Sequence, residues 1–146
     1  MKPARDQDVV DAAVQLVWRL VDDPAMCPDA ADVILDDLEG DCDGCVVIRA
    51  GRKVIAVDAE SPFFQRAVIG DLLSLAVVIV HEQFHRLHGP DEAPAYASTL
   101  NFLVNIGADR LRPDLFVAVL DARDLALGAN NEADDTEQEI PEETEA

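Results

Sequence analysis

Between Gln7 and Asp22 the apolar positions are Val9, Val10, Ala13, Val14, Leu16, Val17, Leu20 and Val21, with Asp and Gln between them. Spacings of three and four put these on one face of a helix, and Asp23-Pro24 ends it. A second, shorter helix is expected from Pro28 to Leu38, with Val33, Ile34 and Leu38 inward and a turn at Glu39-Gly40-Asp41. The period then changes. Residues 45–49 (CVVIR) and 53–57 (KVIAV) are two short β-branched runs around Ala50-Gly51-Arg52, the pattern of a β-hairpin. Ser61-Pro62 has the form of a helix start, with Ser as cap and Pro at the first helical position.

From Ser61 the pattern predicts a helix to Leu87 that tolerates Gly70, and Gly89-Pro90 is a hard stop. Asp91 opens a further helix to about Ile106, with Pro94 accommodated in its first turn. Arg112-Pro113-Asp114 punctuates again, and Leu115 to Leu127 is a last amphipathic helix. Beyond Gly128 there is almost nothing apolar to bury, so disorder is expected there. The reading is an α+β, mainly helical domain over residues 1–128 with a small β-hairpin, followed by an acidic tail over 129–146. No internal repeat is visible.

Composition sharpens this picture in three ways. Hydrophobic residues make up 49% of the 146 residues but aromatics only 5%, so the core must come from Val, Leu, Ile and Ala. The net charge is −19, which repels nucleic-acid phosphates and anionic membranes and argues against both as partners. Eight acids and no base lie between Glu132 and Glu145, leaving 22 acids against 11 bases in the body. Such a tail is a solvated segment or a contact for a basic protein partner.

The three cysteines, Cys27, Cys42 and Cys45, are an odd set behind an N-terminus with no apolar signal region, which argues against a disulfide framework. The longest apolar run, Leu72 to Val80, is too short to span a bilayer. A soluble cytoplasmic protein is the expectation.

All three histidines fall within VHEQFHRLHGPDEAPAY, residues 80–96. His81-Glu82-Gln83-Phe84-His85 is an H-E-x-x-H motif. On a helix, positions i and i+4 share a face, so two imidazoles can reach one zinc ion, and the adjacent Glu can take a proton from a water activated by that ion. The apolar run Val77 to Val80 leads directly into His81, which places the motif on a buried helix. Burying such a cluster without a partner costs desolvation free energy that a metal offsets.

His88, Asp91 and Glu92 compete to be the third ligand. His88 shares the face but lies ~10.5 Å along the axis from His81 at 1.5 Å per residue. Asp91 suits a helix cap. Glu92, in the first turn of the helix returning after Gly89-Pro90, is the preferred ligand.

The run HEQFHRLHGPDEAPAYA resembles the zinc-binding core of small gluzincin-type metallopeptidases, including the minimal gluzincins and the peptidase domains of the ImmA/IrrE group. Glu92-Ala93 followed by Tyr96-Ala97 matches the spacing of their Glu-Ala-x-x-Phe-Ala segment, and the hairpin VVIRAGRKVIAVD resembles their substrate-binding sheet. The resemblance covers about Cys45 to Leu103; Pro94 and the long apolar lead-in to His81 depart from it. It implies a minimal zincin-like core with the hairpin packed beside the H-E-x-x-H helix. It also implies one zinc ion on His81, His85 and Glu92, Glu82 as general base, and a peptide or protein substrate.

Tyr96, four residues after Glu92 and the single tyrosine, is either a hydrogen-bond donor to an oxyanion or a packed side chain with its hydroxyl at the surface. His88 is a second candidate for that donor. Cys42-Asp43-Gly44-Cys45 lacks the second pair a zinc knuckle needs and precedes a strand, so it reads as a turn with a cysteine at the strand edge. Two other classes of function stand beside the peptidase: a catalytically inactive zinc-binding interaction module, and an acidic mimic of nucleic acid.

Overall fold

Helix α1 (Lys2–Leu20) forms on the apolar stripe, with Val10, Ala13, Val14 and Val17 all buried. The computed structural model describes residues 2–38 and 42–139, with side chains for 6–38 and 42–128. The expected turn at Glu39-Gly40-Asp41 and residues 140–146 lie outside the described residues. The protein is a small, mostly helical α+β structure with a three-stranded mixed sheet packed against helices.

The stretch expected to be a second helix is instead a 3-10 turn at Ala30–Asp32 followed by strand β1 (Val33–Asp36). Its Val-Ile-Leu run pairs in parallel with β3 (Arg52–Asp58), Val33 lying opposite Ile55 and Leu35 opposite Val57. Local pattern could not report this, because a strand of four residues is shorter than the window in which helix and strand periods differ. The hairpin forms as expected: β2 (Gly44–Arg49) pairs antiparallel with β3 about Ala50-Gly51. The strand order is β1-β3-β2, so β3 is central and fully buried from Val54 to Asp58, and β2 is an edge.

The expected single helix from Ser61 to Leu87 is two. Helix α2 (Pro62–Val68) is capped by Ser61, whose Oγ accepts from Phe63 N at 3.1 Å, and it stops at Gly70. Gly70 has φ +113°, a left-handed conformation that a helix interior does not allow and that suits glycine. Helix α3 (Leu72–His88) then runs through the middle of the molecule, packed on α1, α2, β2, β3 and α4 (Glu92–Asn105). Every residue from Ser74 to Val80 is buried, which explains the unbroken apolar lead-in to the histidine motif. Gly89-Pro90 ends α3 as predicted, and Asp91 occupies the N-cap position of α4 without a side-chain capping bond.

A short helix α5 (Ala108–Leu111) leads into α6 (Pro113–Glu139). The last helix therefore continues beyond Gly128 to Glu139, into the segment expected to be disordered. Its Ala, Glu and Gln are good helix formers, and the next proline is Pro141. Among the described residues no helix is long and apolar enough to cross a membrane.

One buried carboxylate ties α3 to the sheet. Asp32, 3% exposed, pairs with Arg86 at 3.0 Å and with Arg52. Arg86 also donates to the Lys53 carbonyl at 3.0 Å and to Gln83 Oε1 at 3.1 Å, while Gln83 donates to the Ala25 carbonyl at 2.9 Å. Removing one partner of a buried pair leaves the other charge uncompensated. Asp32→Ala should therefore lower the unfolding free energy by about 3 kcal/mol, read from urea melts; a change under ~0.5 kcal/mol would mean that solvent already screens the pair.

Candidate metal centre

His81 and His85 lie one turn apart near the C-terminal end of α3, and Glu92 opens α4 after the Gly89-Pro90 turn. That turn folds α4 back so that the three side chains converge. His81 Nε2 and His85 Nε2 are 3.2 Å apart, and Glu92 Oε1 lies 3.2 Å from the first and 2.9 Å from the second. Both imidazoles are mostly buried, their side chains 12% exposed, and Glu92 is 37% exposed. These three form a His/His/Glu group able to hold a metal ion.

The outer nitrogens of the two rings decide what the inner ones present. His85 Nδ1 lies 2.8 Å from the Gly89 carbonyl oxygen, which only accepts, so Nδ1 carries the proton. His81 Nδ1 lies 3.2 Å from Thr99 Oγ1, and the Thr99 hydroxyl donates its own proton to the Ala95 carbonyl at 2.9 Å. Thr99 is thereby left as the acceptor, and His81 Nδ1 as the donor. With both rings neutral, the Nε2 atoms turn lone pairs toward each other and toward a carboxylate oxygen. Three lone-pair atoms at such distances repel unless a cation sits among them.

The spacing suits a metal. Ligand atoms ~2.0–2.1 Å from a tetrahedral zinc ion lie about 3.3 Å from one another. A single proton satisfies only one of the three contacts. The residues therefore fit the ion that the sequence motif implies, and Thr99 and the Gly89 carbonyl act as the partners that hold ligating imidazoles in one tautomer and orientation.

Titration follows from these neighbours. Burial, and then His85, holds the His81 pKa below the ordinary value. Burial also pulls at His85, but the Gly89 carbonyl and the carboxylates of Glu82 and Glu92 outweigh it and raise the pKa. Glu82 is 8% exposed, and burial is the main cause pushing its carboxyl up to about 7, with Glu92 and Asp43 adding and His85 opposing.

A cavity of about 220 Å³ opens beside His81 and Glu92, and Glu82, Tyr96 and Thr99 also line it. The Tyr96 ring packs on His81, centroids 4.4 Å apart, and burial with nearby carboxylates pushes the phenol up to about 12. A shallower groove of about 410 Å³ runs along β2, between Gly44, Cys45 and Val46 on one side and His85 and Glu92 on the other.

The remaining candidates stand apart from the ligand group. His88 is exposed and stacks on Phe84, centroids 4.6 Å apart, and Asp91 is exposed at the turn. Cys42 and Cys45 are free thiols, Cys42 exposed and Cys45 half-buried on the edge strand, with burial raising the Cys45 pKa.

Sequence reasoning missed Thr99, Asp43 and Gly44. Thr99 was within reach: Glu92, Tyr96 and Thr99 recur at helical spacing on one face of α4. Gly44 had no local signal. A Cβ there would meet Val78 Cγ1 at 3.1 Å and Glu82 Cγ at 3.2 Å, so the absent side chain is what lets β2 lie against the motif. No protein-family model, curated protein or solved structure matches the chain.

Thr99→Val keeps the shape of the side chain and removes the acceptor for His81. Zinc affinity, measured by competition with a chromophoric chelator, should fall by roughly 10- to 100-fold. An unchanged affinity would show that Thr99 has no part in orienting His81.

Proposed function

We propose that this protein is a zinc-dependent peptidase, with His81, His85 and Glu92 as metal ligands and Glu82 as general base. The observation that carries the reading is the convergence of two imidazole nitrogens and one carboxylate oxygen beside a cavity into which a buried glutamate also faces. The resemblance of this stretch to the small gluzincins points the same way.

A zinc ion on those ligands supplies Lewis acidity toward a carbonyl oxygen and acidifies a water. The chain supplies the rest. Glu82, with its proton affinity raised to about 7, is poised to accept a proton from the attacking water and return it to the leaving amine near neutral pH. Tyr96, whose phenol stays protonated, donates a hydrogen bond to the oxyanion that develops as the carbonyl is attacked.

Substrate is held by the outer edge of β2, whose groove leads past His85 and Glu92. An extended peptide adds there as a further strand, its main chain paired and its alternate side chains directed to the cavity. The proposed partner is thus a peptide or an unfolded segment of a protein, and the site of action is aqueous and cytoplasmic.

Glu82→Gln separates binding from chemistry. In a screen of a mixed peptide library with zinc-loaded protein, wild type should cleave, and the variant should retain its zinc while turnover falls by about 10²- to 10⁴-fold. Cleavage at the wild-type rate by Glu82→Gln would remove Glu82 from the mechanism. A wild type that holds zinc and cleaves nothing would favour an inactive zinc-binding interaction module.

A further inference from the structure

We propose that Asp43 selects substrates by binding a primary ammonium group inside the cavity beside the metal ligands. The inference rests on the peptidase reading and deepens it, by naming the chemical class of substrate that the site prefers.

Three carboxylates line the cavity, those of Asp43, Glu82 and Glu92, and no lysine or arginine is among the residues around it. Arg86, Arg49 and Arg112 are paired elsewhere, with Asp32, Asp36 and Asp71, and Arg66 lies over the ring of Phe63. Glu92 belongs to the metal and Glu82 to proton transfer. Glu82 itself is 8% exposed and lines the cavity, and its carboxyl group makes no hydrogen bond with any described residue. On the peptidase reading a metal ion and a water account for those two carboxylates, and no cationic side chain among the described residues pairs with Asp43.

Asp43 is also held in place. Ser61 Oγ donates to its Oδ1 at 2.8 Å, and the Ser61 side chain is fixed in turn as the cap of α2. Asp58 N donates to the Asp43 carbonyl at 2.9 Å, so the backbone is anchored to β3 as well. This arrangement commits one carboxylate oxygen and leaves Oδ2 as an oriented acceptor. Burial and the neighbouring Asp58 raise the Asp43 pKa, whereas a bound ammonium would favour its charged form.

The cavity lining is otherwise partly apolar, with Phe63, Val77 and Val119 among its residues. A cavity of about 220 Å³ lined by both carboxylates and apolar side chains suits one residue that carries an aliphatic stem and an ammonium group. That group has two sources in a peptide, the free α-amino terminus and the lysine side chain.

Binding to the Glu82→Gln protein, in which turnover is suppressed, tests the assignment by titration calorimetry with and without zinc. The probes are an alanine-based pentapeptide with a free amino terminus, its N-acetylated form, an N-acetylated version carrying one lysine, and the same peptide with acetyl-lysine. One of the two ammonium-bearing probes should bind about tenfold more tightly than its acetylated counterpart, as a charge-assisted hydrogen bond in a partly buried site would give. Which one does so identifies the source. Adding Asp43→Asn, which keeps the acceptor for Ser61, should bring that ratio to about one, with zinc content and melting temperature unchanged.

Equal binding of ammonium and acetylated probes, no binding of any probe, or a preference that survives Asp43→Asn would overturn the proposal. Zinc content of the same samples reads the metal assignment separately. Charge discrimination without zinc would leave Asp43 standing while the metal reading fails.

Discussion

Two imidazole lone pairs and a carboxylate oxygen face one another at 2.9–3.2 Å at the end of the most buried helix in the protein. In water such a group would turn apart and be solvated. Here the rings are locked from behind by Thr99 and the Gly89 carbonyl, and a cation between them would offset the cost of holding them together. The rest of the structure serves this constraint. Helix α3 must pass through the core to deliver the motif, the chain must turn sharply at Gly89 to bring Glu92 back, and β2 must lie close enough to shelter Glu82.

Each of those demands has a visible answer in the packing. The apolar stretch from Leu75 to Val80 secures α3 between α1 and the sheet. At its far end, Arg86 reaches past the motif to Asp32 and Lys53, so the last turns of α3 are tied to the 3-10 turn before β1 and to the start of the central strand β3. Gly44 gives β2 its close approach. The site is thus built between a packed helix and a sheet edge, an arrangement that keeps its side chains in one geometry without a ligand to organise them.

Much of this was legible in the residues. The 3.6-residue stripe of α1, the hairpin at Ala50-Gly51 and the stop at Gly89-Pro90 are local signals, and the structure follows them. The convergence of His81, His85 and Glu92 was legible too, since H-E-x-x-H fixes two positions on one helix face and the break before Glu92 marks where the chain returns. The misreadings arose where a distant partner decides the outcome. Strand β1 exists because β3 is there to pair with Val33–Asp36. The split at Gly70 answers a bend between α2 and α3, which no spacing of apolar residues records. Asp43 and Gly44 join the site only through the fold, from a segment that in sequence reads as a C-x-x-C turn, and Ser61 joins it from the cap of α2.

With no relative to lend it an activity, the functional reading depends on the ligand group itself. The most direct test is the metal content of purified protein by elemental analysis, for wild type, Glu92→Ala and His88→Ala after equilibration with zinc and gel filtration. The account predicts about one zinc per chain in wild type and in His88→Ala, and a marked loss in Glu92→Ala, in keeping with a three-ligand protein site. No bound metal in wild type, or full occupancy without Glu92, would contradict it.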